Sequence, residues 1–204
     1  MHDQLRRLAL LASLLTLALS ALLATPAVAG AARSCEARSV SQPFLPWLDV
    51  GHYFLFAGGD LESTRGWTLS GGAQLVAGNE PYLVTSRGDT HSLLLPPGSA
   101  ARTASACVDS AEPTVRFFVR NTGSPLSTLR VDVQFEDALG VQHSLPTGLV
   151  LGGGNWAPSL PTLLVANLLP LLPGKHTPVR LRFVPQGAGA WQIDDVYVDP
   201  FKRL

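Results

Sequence analysis

The chain has 204 residues, with 15 Lys and Arg against 15 Asp and Glu, so its formal net charge is zero. Proteins that grip nucleic acid through phosphates carry a basic excess, and this balance therefore argues against a nucleic-acid partner. Charged residues make up only 15% of the chain and hydrophobic residues 46%, which is typical of a folded protein rather than a disordered one. The 19 Gly and 16 Pro favour turns and short strands over long helices.

The first 29 residues have the pattern of a secretory signal peptide. Arg6 and Arg7 form a basic start, an apolar run covers 8–23, and the segment ends on Ala-x-Ala at Ala29. The apolar run is about 16 residues long, whereas a membrane-spanning helix needs about 20. We therefore expect a helical leader cleaved after Ala29, or alternatively after Ala32, and a secreted protein without a stable membrane span.

The only two cysteines are Cys35 and Cys107. In an exported protein an even pair is most simply a disulfide. The bond would close a long loop and stabilise the fold by roughly 4 kcal/mol. It would also tether an N-terminal extension, 30–50, to a strand near the middle of the chain. A free nucleophilic thiol or a metal ligand is the alternative, although neither cysteine has a His or a second Cys nearby.

Beyond residue 43 the hydrophobic pattern has a period of two, which is typical of strands with one buried and one wet face. Turn-forming Gly, Pro and Asn separate the strands, and the turn at 137–140 predicts a hairpin. No segment after residue 30 has a helical period of useful length. The predicted strands cover 53–56, 73–76, 82–85, 92–95, 104–108, 115–120, 129–136, 163–166, 179–183 and 191–198.

About ten short strands in one chain predict an all-β fold, a two-sheet antiparallel jelly-roll sandwich. We expect residues 30–204 to form this single domain as a monomer. An immunoglobulin-type sandwich is the alternative, but its Cys-Trp-Cys layout is missing because Cys35 precedes the first strand.

Two motifs near the ends of this domain carry a family resemblance. Residues 58–62 (GGDLE) are followed by Gly66-Trp67, and the last predicted strand, 191–198, is WQIDDVYV. This resembles the jelly-roll, galactose-binding-like superfamily that includes many carbohydrate-binding modules. Those domains open with Gly-Phe-Glu and Gly-Trp and close with an aromatic-x-Ile-Asp-Asp-Val strand; here Leu61 replaces the Phe. Residues 89–95 (DTHSLLL) resemble the Gly-x-x-Ser-Leu stretch of such domains.

A narrower resemblance is to secreted single-domain proteins of high-GC Gram-positive bacteria. It rests on residues 79–81 (NEP), 113–118 (PTVRFF) and 194–200 (DDVYVDP).

The superfamily resemblance implies neighbouring first and last strands, which would bring Glu62 near Asp194 or Asp195. Adjacent carboxylates repel unless they are protonated or matched by a cation, and calcium prefers such oxygen ligands. Many modules of this superfamily carry one structural calcium there. We predict a structural Ca²⁺ held by Glu62 and Asp195, with Asp60 as a lesser candidate. Because neighbours in a regular strand point to opposite faces, only one of Asp194 and Asp195 should face the ion. The alternative is that all are solvated or paired with arginine.

A sugar-binding surface needs an exposed aromatic plane with hydrogen-bonding neighbours. Phe118 falls on the polar side of its strand, between Arg116 and Arg120, and Trp156 lies in a Gly-rich loop. We predict these four residues as the ligand surface, extended by the polar positions of 130–136 if the two strands pair. The alternative is that the strand of Phe118 is buried on both faces or covered by a loop.

Catalytic motifs are missing from the sequence: there is no Gly-x-Ser-x-Gly, His-Glu-x-x-His, phosphate-binding Gly loop or Cys-x-x-Cys. We therefore predict no catalytic residue. The expected function is a secreted noncatalytic binding module for cell-wall or extracellular carbohydrate. A structural or protein-interaction module of the cell envelope is the alternative, and a hydrolase of unknown type is a third.

Overall fold

Strands and one short 3-10 turn make up the regular structure of the computed structural model, which describes residues 38–108, 114–137, 140–164 and 177–199. All of these residues belong to one compact unit, Ser34–Leu204. The 3-10 turn covers Leu45–Trp47. The strands are β1 (Phe54–Leu55), β2 (Thr68–Ser70), β3 (Gln74–Ala77), β4 (His91–Leu95), β5 (Ala100–Arg102), β6 (Ala106–Val108), β7 (Thr114–Asn121), β8 (Thr128–Glu136), β9 (Gln142–Val150), β10 (Ala157–Pro158), β11 (Thr162–Leu163), β12 (Thr177–Gln186) and β13 (Trp191–Asp199).

These strands form two antiparallel sheets. Sheet 1 has the order β10-β7-β13-β4-β3, with β1 paired to β13 and β11 paired to β7. Sheet 2 has the order β2-β5-β12-β8-β9, with β6 paired to β12. The predicted all-β, two-sheet antiparallel sandwich is confirmed.

The main core lies between the sheets and comes from the alternating strands. In β8 and β12 every second side chain is buried, and Val131 and Leu181 are fully buried. In sheet 1, Phe117, Ile193 and Trp191 supply the opposing side chains, and all three are fully buried. Burying an apolar side chain of this size contributes roughly 2 kcal/mol, so this layer drives the two sheets together.

The first and last strands lie side by side, as predicted. Phe54 pairs with Val198 and Leu55 with Tyr197, and the backbone N–H of Phe56 donates to the carbonyl of Val196 at 2.8 Å. The register of β13 against β7 shifts between Asp194 and Tyr197. This irregularity controls where the acidic residues of β13 point.

A second apolar cluster lies on the outer face of sheet 1. It contains Phe44, Tyr53, Phe118, Trp156 and Tyr197. We call the residues that lie over this face the aromatic cover: Phe44, Trp47, Tyr53, Tyr82 and Trp156.

Sheet 2 ends at the edge strand β9, which carries Pro146 and Gly148. Its register against β8 shifts between Val131 and Asp132. The β8–β9 pairing confirms the predicted hairpin, whose loop is closed by a hydrogen bond from the Asp137 N–H to the Val141 carbonyl at 3.0 Å.

Several local predictions need correction. Residues 82–85 are a loop rather than a strand, and the short β2 and β5 were not predicted. The strands at 115–120 and 129–136 do not pair, because β7 belongs to sheet 1 and β8 to sheet 2. The predicted leader at 1–29 lies outside the described residues. Among the residues that are described, no helix is long and apolar enough to cross a membrane.

Candidate functional site

The predicted aromatic ligand plane at Phe118 is buried. Phe118 is 0% exposed, and its ring stacks on Phe44 with 5.5 Å between centroids and 27° between planes. Trp47 and Tyr82 contact the same ring at 5.3 and 5.6 Å. The expectation of an exposed Phe118 is therefore wrong. The alternating pattern of its strand correctly points Phe118 away from the main core, but the aromatic cover packs over that outer face.

Arg116 and Arg120, which flank Phe118, hold this cover in place. The Arg116 side chain is only 8% exposed; it forms an ion pair with Asp49 and lies 4.3 Å from the Phe44 ring centroid. Arg120 lies 4.9 Å from the Trp156 ring. Trp156 itself is only 9% exposed. The four predicted ligand residues therefore do lie close together, but they form part of a packed interior and not an open surface.

Asp49 is the acidic partner in this cover. Burial raises its pKa, but hydrogen bonds from Tyr53, Gly51 and Arg116 outweigh burial and bring the pKa below its usual value. The Tyr53 hydroxyl donates to Asp49 Oδ2 at 2.7 Å, and the Gly51 N–H donates to Oδ1 at 2.9 Å. The carboxylate therefore fastens the loop before β1 to Arg116 on β7.

Buried acidic residues meet where β13 is irregular. Asp194, Asp195 and Glu80 are all fully buried. The Glu80 N–H donates to Asp194 Oδ2 at 3.1 Å, and the Thr85 hydroxyl donates to Asp195 Oδ1 at 2.6 Å. Asp195 has a φ of 47°, so regular alternation is broken here. Both carboxyl groups of the Asp-Asp pair consequently contact the loop that follows β3.

These carboxyl groups have strongly perturbed pKa values. Burial raises the pKa of Asp194 to about 9, and the neighbouring Asp195 charge adds to this. Burial also raises the pKa of Asp195 to about 7, with further contributions from Glu80 and Asp89. Asp195 Oδ2 is buried and has no hydrogen-bond partner. We call Glu80, Asp89, Asp194 and Asp195 the acidic cluster.

Glu62 and Asp60, the other predicted metal ligands, lie on the Asp89 side of this cluster. The Glu62 carboxylate accepts hydrogen bonds from the backbone N–H groups of Thr90 and His91, both at 2.7 Å. Burial raises the pKa of Asp89, and the charges of Glu62 and Asp60 raise it further. Asp89 thus lies between the Glu62 and Asp60 carboxylates on one side and the buried carboxyl groups of Glu80 and Asp195 on the other.

Sequence reasoning did not name Glu80 or Asp89 as possible ligands. As a metal ligand neither residue is indicated by the sequence, because nothing local shows that residues 79–81 and 89–95 face the last strand.

Cys107 lies on β6 and is 1% exposed. Cys35 lies outside the described residues, so the disulfide stays a prediction. Arg38 Nη2 donates to the carbonyl of Cys107, so the start of the described chain contacts β6.

The outer face of sheet 2 is open, unlike that of sheet 1. Arg102, Arg182 and Asp132 stand side by side on β5, β12 and β8, because each is the Cα partner of the next. Arg180 is likewise opposite Gln134. We define the open face by these side chains and their neighbours: Thr68, Ser70, Arg102, Arg130, Asp132, Gln134, Arg180 and Arg182.

A shallow depression of about 280 Å³ lies on this face. It is lined by Thr68, Ser70, Arg102, Gln134 and Arg182, together with Ala100 and Ala101. Hydroxyl, amide and guanidinium groups therefore converge on one accessible hollow. None of the described side chains that define the open face is aromatic, so recognition there relies on hydrogen bonds and charge.

Comparison with known proteins gives a structural likeness only. No family model matches the chain, and no curated protein matches it significantly. Among solved structures it is similar to the CBM22-1 xylan-binding domain of Paenibacillus barcinonensis Xyn10C, with 14% identity over 70% of this chain and 90% of that chain and a TM-score of 0.47.

Two further similar structures come from proteins of different types. One is the C-terminal family 22 carbohydrate-binding module of Clostridium thermocellum Xyn10B, with 17% identity, coverage of 74% of this chain and 96% of that chain, and a TM-score of 0.43. The other is the enzymatically active domain of tailspike protein 4 from bacteriophage CBA120, with 20% identity and a TM-score of 0.43, where the match covers 70% of this chain but only 21% of that chain.

Proposed function

We propose that the protein is a noncatalytic binding module for a cell-wall or extracellular carbohydrate, and that the ligand lies on the open face of sheet 2. One observation carries this proposal: the polar hollow over Thr68, Ser70, Arg102, Gln134 and Arg182. A sugar presents hydroxyl groups that need donors and acceptors in fixed positions, and a sheet holds such groups more rigidly than a loop.

The side chains of the hollow match this need. Gln134 supplies both an amide donor and an acceptor, Thr68 and Ser70 supply hydroxyls, and Arg102 and Arg182 supply planar donors. The strands that carry them are anchored by the core beneath, where Phe183 and Val133 alternate with the outward residues. The ligand would therefore meet a preformed surface.

Glycan-array screening of the purified, secreted full chain tests the proposal, with Gln134→Ala as the diagnostic variant. Loss of a hydrogen-bonding side chain from the hollow should weaken binding about fivefold. Gln74→Ala is the matched control because Gln74 is exposed on β3 of the other sheet. Binding to no polysaccharide, or equal effects of the two variants, contradicts the proposal and favours the protein-interaction alternative.

The proposal also includes secretion as a monomer, with the leader removed near Ala29. Intact mass of the exported protein should correspond to a chain that begins at Gly30, and light scattering should give the mass of one chain. A retained leader or a stable dimer contradicts this part of the proposal.

A structural calcium ion at the acidic cluster is a second part of the proposal. The residues fit a hard cation, because the cluster offers carboxylate oxygens and includes the buried, unpartnered Oδ2 of Asp195. No three His, Cys, Asp or Glu side chains within the described ranges form a ready metal centre. Backbone carbonyls would therefore have to complete the shell. Asp195 and Glu80 are the side chains best placed to hold the ion, and its role there would be to neutralise buried charge.

Thermal unfolding with calcium and with chelator tests this part. A ligand at 100 times its Kd stabilises the fold by about 2.7 kcal/mol, and Asp195→Asn should abolish that response. Glu62→Gln should abolish the response if the ion is held by the ligands predicted from the sequence. Glu80→Gln should abolish it if the ion is held by Glu80 and Asp195. Glu136→Gln, on the exposed end of β8, is the control. A melting temperature that is indifferent to calcium removes the ion from the proposal.

A further inference from the structure

The open face concentrates positive charge on a protein that is neutral overall. The outward positions of β5, β8 and β12 carry four arginines against two carboxylates, Asp132 within the open face and Glu136 at its margin. The four arginines are Arg102 on β5, Arg130 on β8, and Arg180 and Arg182 on β12. The chain as a whole has 15 bases and 15 acids, so this excess is local to the face.

The charges within the face leave two arginines unmatched. Asp132 is shared by Arg130 at 2.9 Å and Arg182 at 3.3 Å, so its single negative charge is divided between two guanidinium groups. Arg102 and Arg180 have no acidic partner in the part of the chain that the structure describes. Arg102 is exposed, so its guanidinium is accessible from solvent.

The register places like charges next to each other. Arg102 is the direct Cα partner of Arg182, and like charges opposite each other across two strands are unfavourable. An anion between them would relieve this repulsion. Arg180 lies two residues from Arg182 on the same face, about 7 Å along the strand, and offers a second anion position.

We propose that the ligand of the open face is an acidic polysaccharide that carries carboxylate groups. This inference rests on the proposed function and names the class of glycan. The guanidinium group binds a carboxylate with two parallel hydrogen bonds. Arg102 and Arg182 hold one carboxylate of the polymer and Arg180 holds the next, while Gln134 and Ser70 bind the intervening hydroxyls.

Carboxylated glycan fits this face better than nucleic acid. Asp132 lies in the centre of the arginines, where it would repel a continuous phosphate backbone, and the chain lacks the overall basic excess that such a partner requires. A sugar polymer instead alternates carboxylates with neutral hydroxyls, as the face alternates arginines with amide and hydroxyl side chains.

Binding to polygalacturonate, measured by calorimetry and affinity electrophoresis with the full secreted chain, tests the inference. Its fully methyl-esterified form is the matched probe, because the backbone is the same and the charge is removed. We expect binding to the acid form that weakens steeply between 50 and 300 mM salt, on the order of tenfold, and at least a tenfold loss on esterification.

Variants locate the binding. Arg102→Gln and Arg180→Gln should each weaken binding to polygalacturonate about tenfold. Neither residue has an ion pair within the described chain, so both variants should fold normally, and circular dichroism checks this. Arg87→Gln, an exposed arginine in the loop before β4, is the control and should bind like the unaltered protein.

The outcomes separate this inference from the proposed function. Binding to neutral glycans that depends on Gln134 but not on Arg102 overturns the inference and leaves the function. Binding to no glycan overturns both. Binding to duplex DNA as tight as to polygalacturonate, with the same arginine dependence, also overturns the inference, because the face would then be a general polyanion surface.

Discussion

The outer faces of the two sheets have the same alternating sequence pattern, but one face is covered by other parts of the chain and the other is accessible to solvent. In β7, Arg116, Phe118 and Arg120 alternate with core residues, and in β12, Arg180 and Arg182 do the same. The first set is covered and the second is open. Alternation therefore identifies which side chains leave the core, while distant segments decide whether those side chains reach solvent.

The partners of the arginines show the difference. On the covered face, Arg116 is paired with Asp49 and packed on Phe44, so its charge is used within the fold. On the open face, Arg102 and Arg180 have no such carboxylate among the described residues. Arginines whose charge is satisfied internally stabilise the protein, and arginines left unmatched are available to a ligand.

The largest expected effect comes from releasing the segment that leads into the aromatic cover. Replacing both cysteines (Cys35→Ala with Cys107→Ala) should lower the free energy of unfolding by about 4 kcal/mol, because the predicted disulfide restricts the unfolded chain. Urea unfolding measures this. The unaltered protein under reducing conditions should match the double variant, and alkylation of two thiols without reductant contradicts the disulfide.

Phe118→Ala should cost about 3 to 4 kcal/mol, since it removes a fully buried ring from beneath Phe44, Trp47 and Tyr82. Glycan binding by the folded fraction should not change, because the proposed ligand site lies on the other sheet. If the variant keeps its stability but loses glycan binding, the ligand site lies on the covered face of sheet 1 and not on the open face of sheet 2.

Asp49→Asn should cost about 2 kcal/mol, because it leaves the nearly buried Arg116 without its anion. The folded-state pKa of Asp49 lies below its usual value. Its stabilisation is therefore present above about pH 4, the pKa expected in the unfolded chain, and is lost as the pH falls through the folded pKa. Denaturation curves measured from pH 6 downward should show the stability gap between the variant and the unaltered protein narrowing only once the pH falls below about 4.

Asp132→Asn should change stability least, by about 1 kcal/mol or less, because its arginine partners are one-third exposed. It should strengthen binding to polygalacturonate about threefold, as it removes the central negative charge and frees two arginines. Weaker binding would show that Asp132 is needed to position Arg182, and would argue for a neutral glycan.

The sequence predicted the sandwich well where burial is one-sided and strands are long. β8 and β12 follow from alternation. β13 is buried on both faces along almost its whole length, and its pairing with the first strand follows from the family resemblance of the end motifs. Residues 82–85 were predicted as a strand between two turn-forming segments. They form a loop because the Glu80 carboxylate accepts hydrogen bonds from the N–H groups of Tyr82 and Val84, which no local pattern reveals.

The candidate site shows the same limit. Asp194 and Asp195 were identified from the sequence, but Glu80, which contacts Asp194 through its backbone N–H, lies 114 positions away from it. The arginines of the open face were visible as alternating residues, yet their alignment depends on the register of β5 against β12. β5 itself is a run of Ala-Ala-Arg with no alternation to predict it.

The shape of the edge strand β9 affects whether neighbouring copies of the protein can join through their sheets. Pro146 lacks an N–H group, and Gly148 and the shifted register interrupt a flat edge. β2, at the other edge of sheet 2, and β3, at one edge of sheet 1, are only three and four residues long. Such edges resist sheet-to-sheet fusion. Copies of the protein held close together, as on the proposed polysaccharide, should therefore be protected from joining edge to edge into an aggregate.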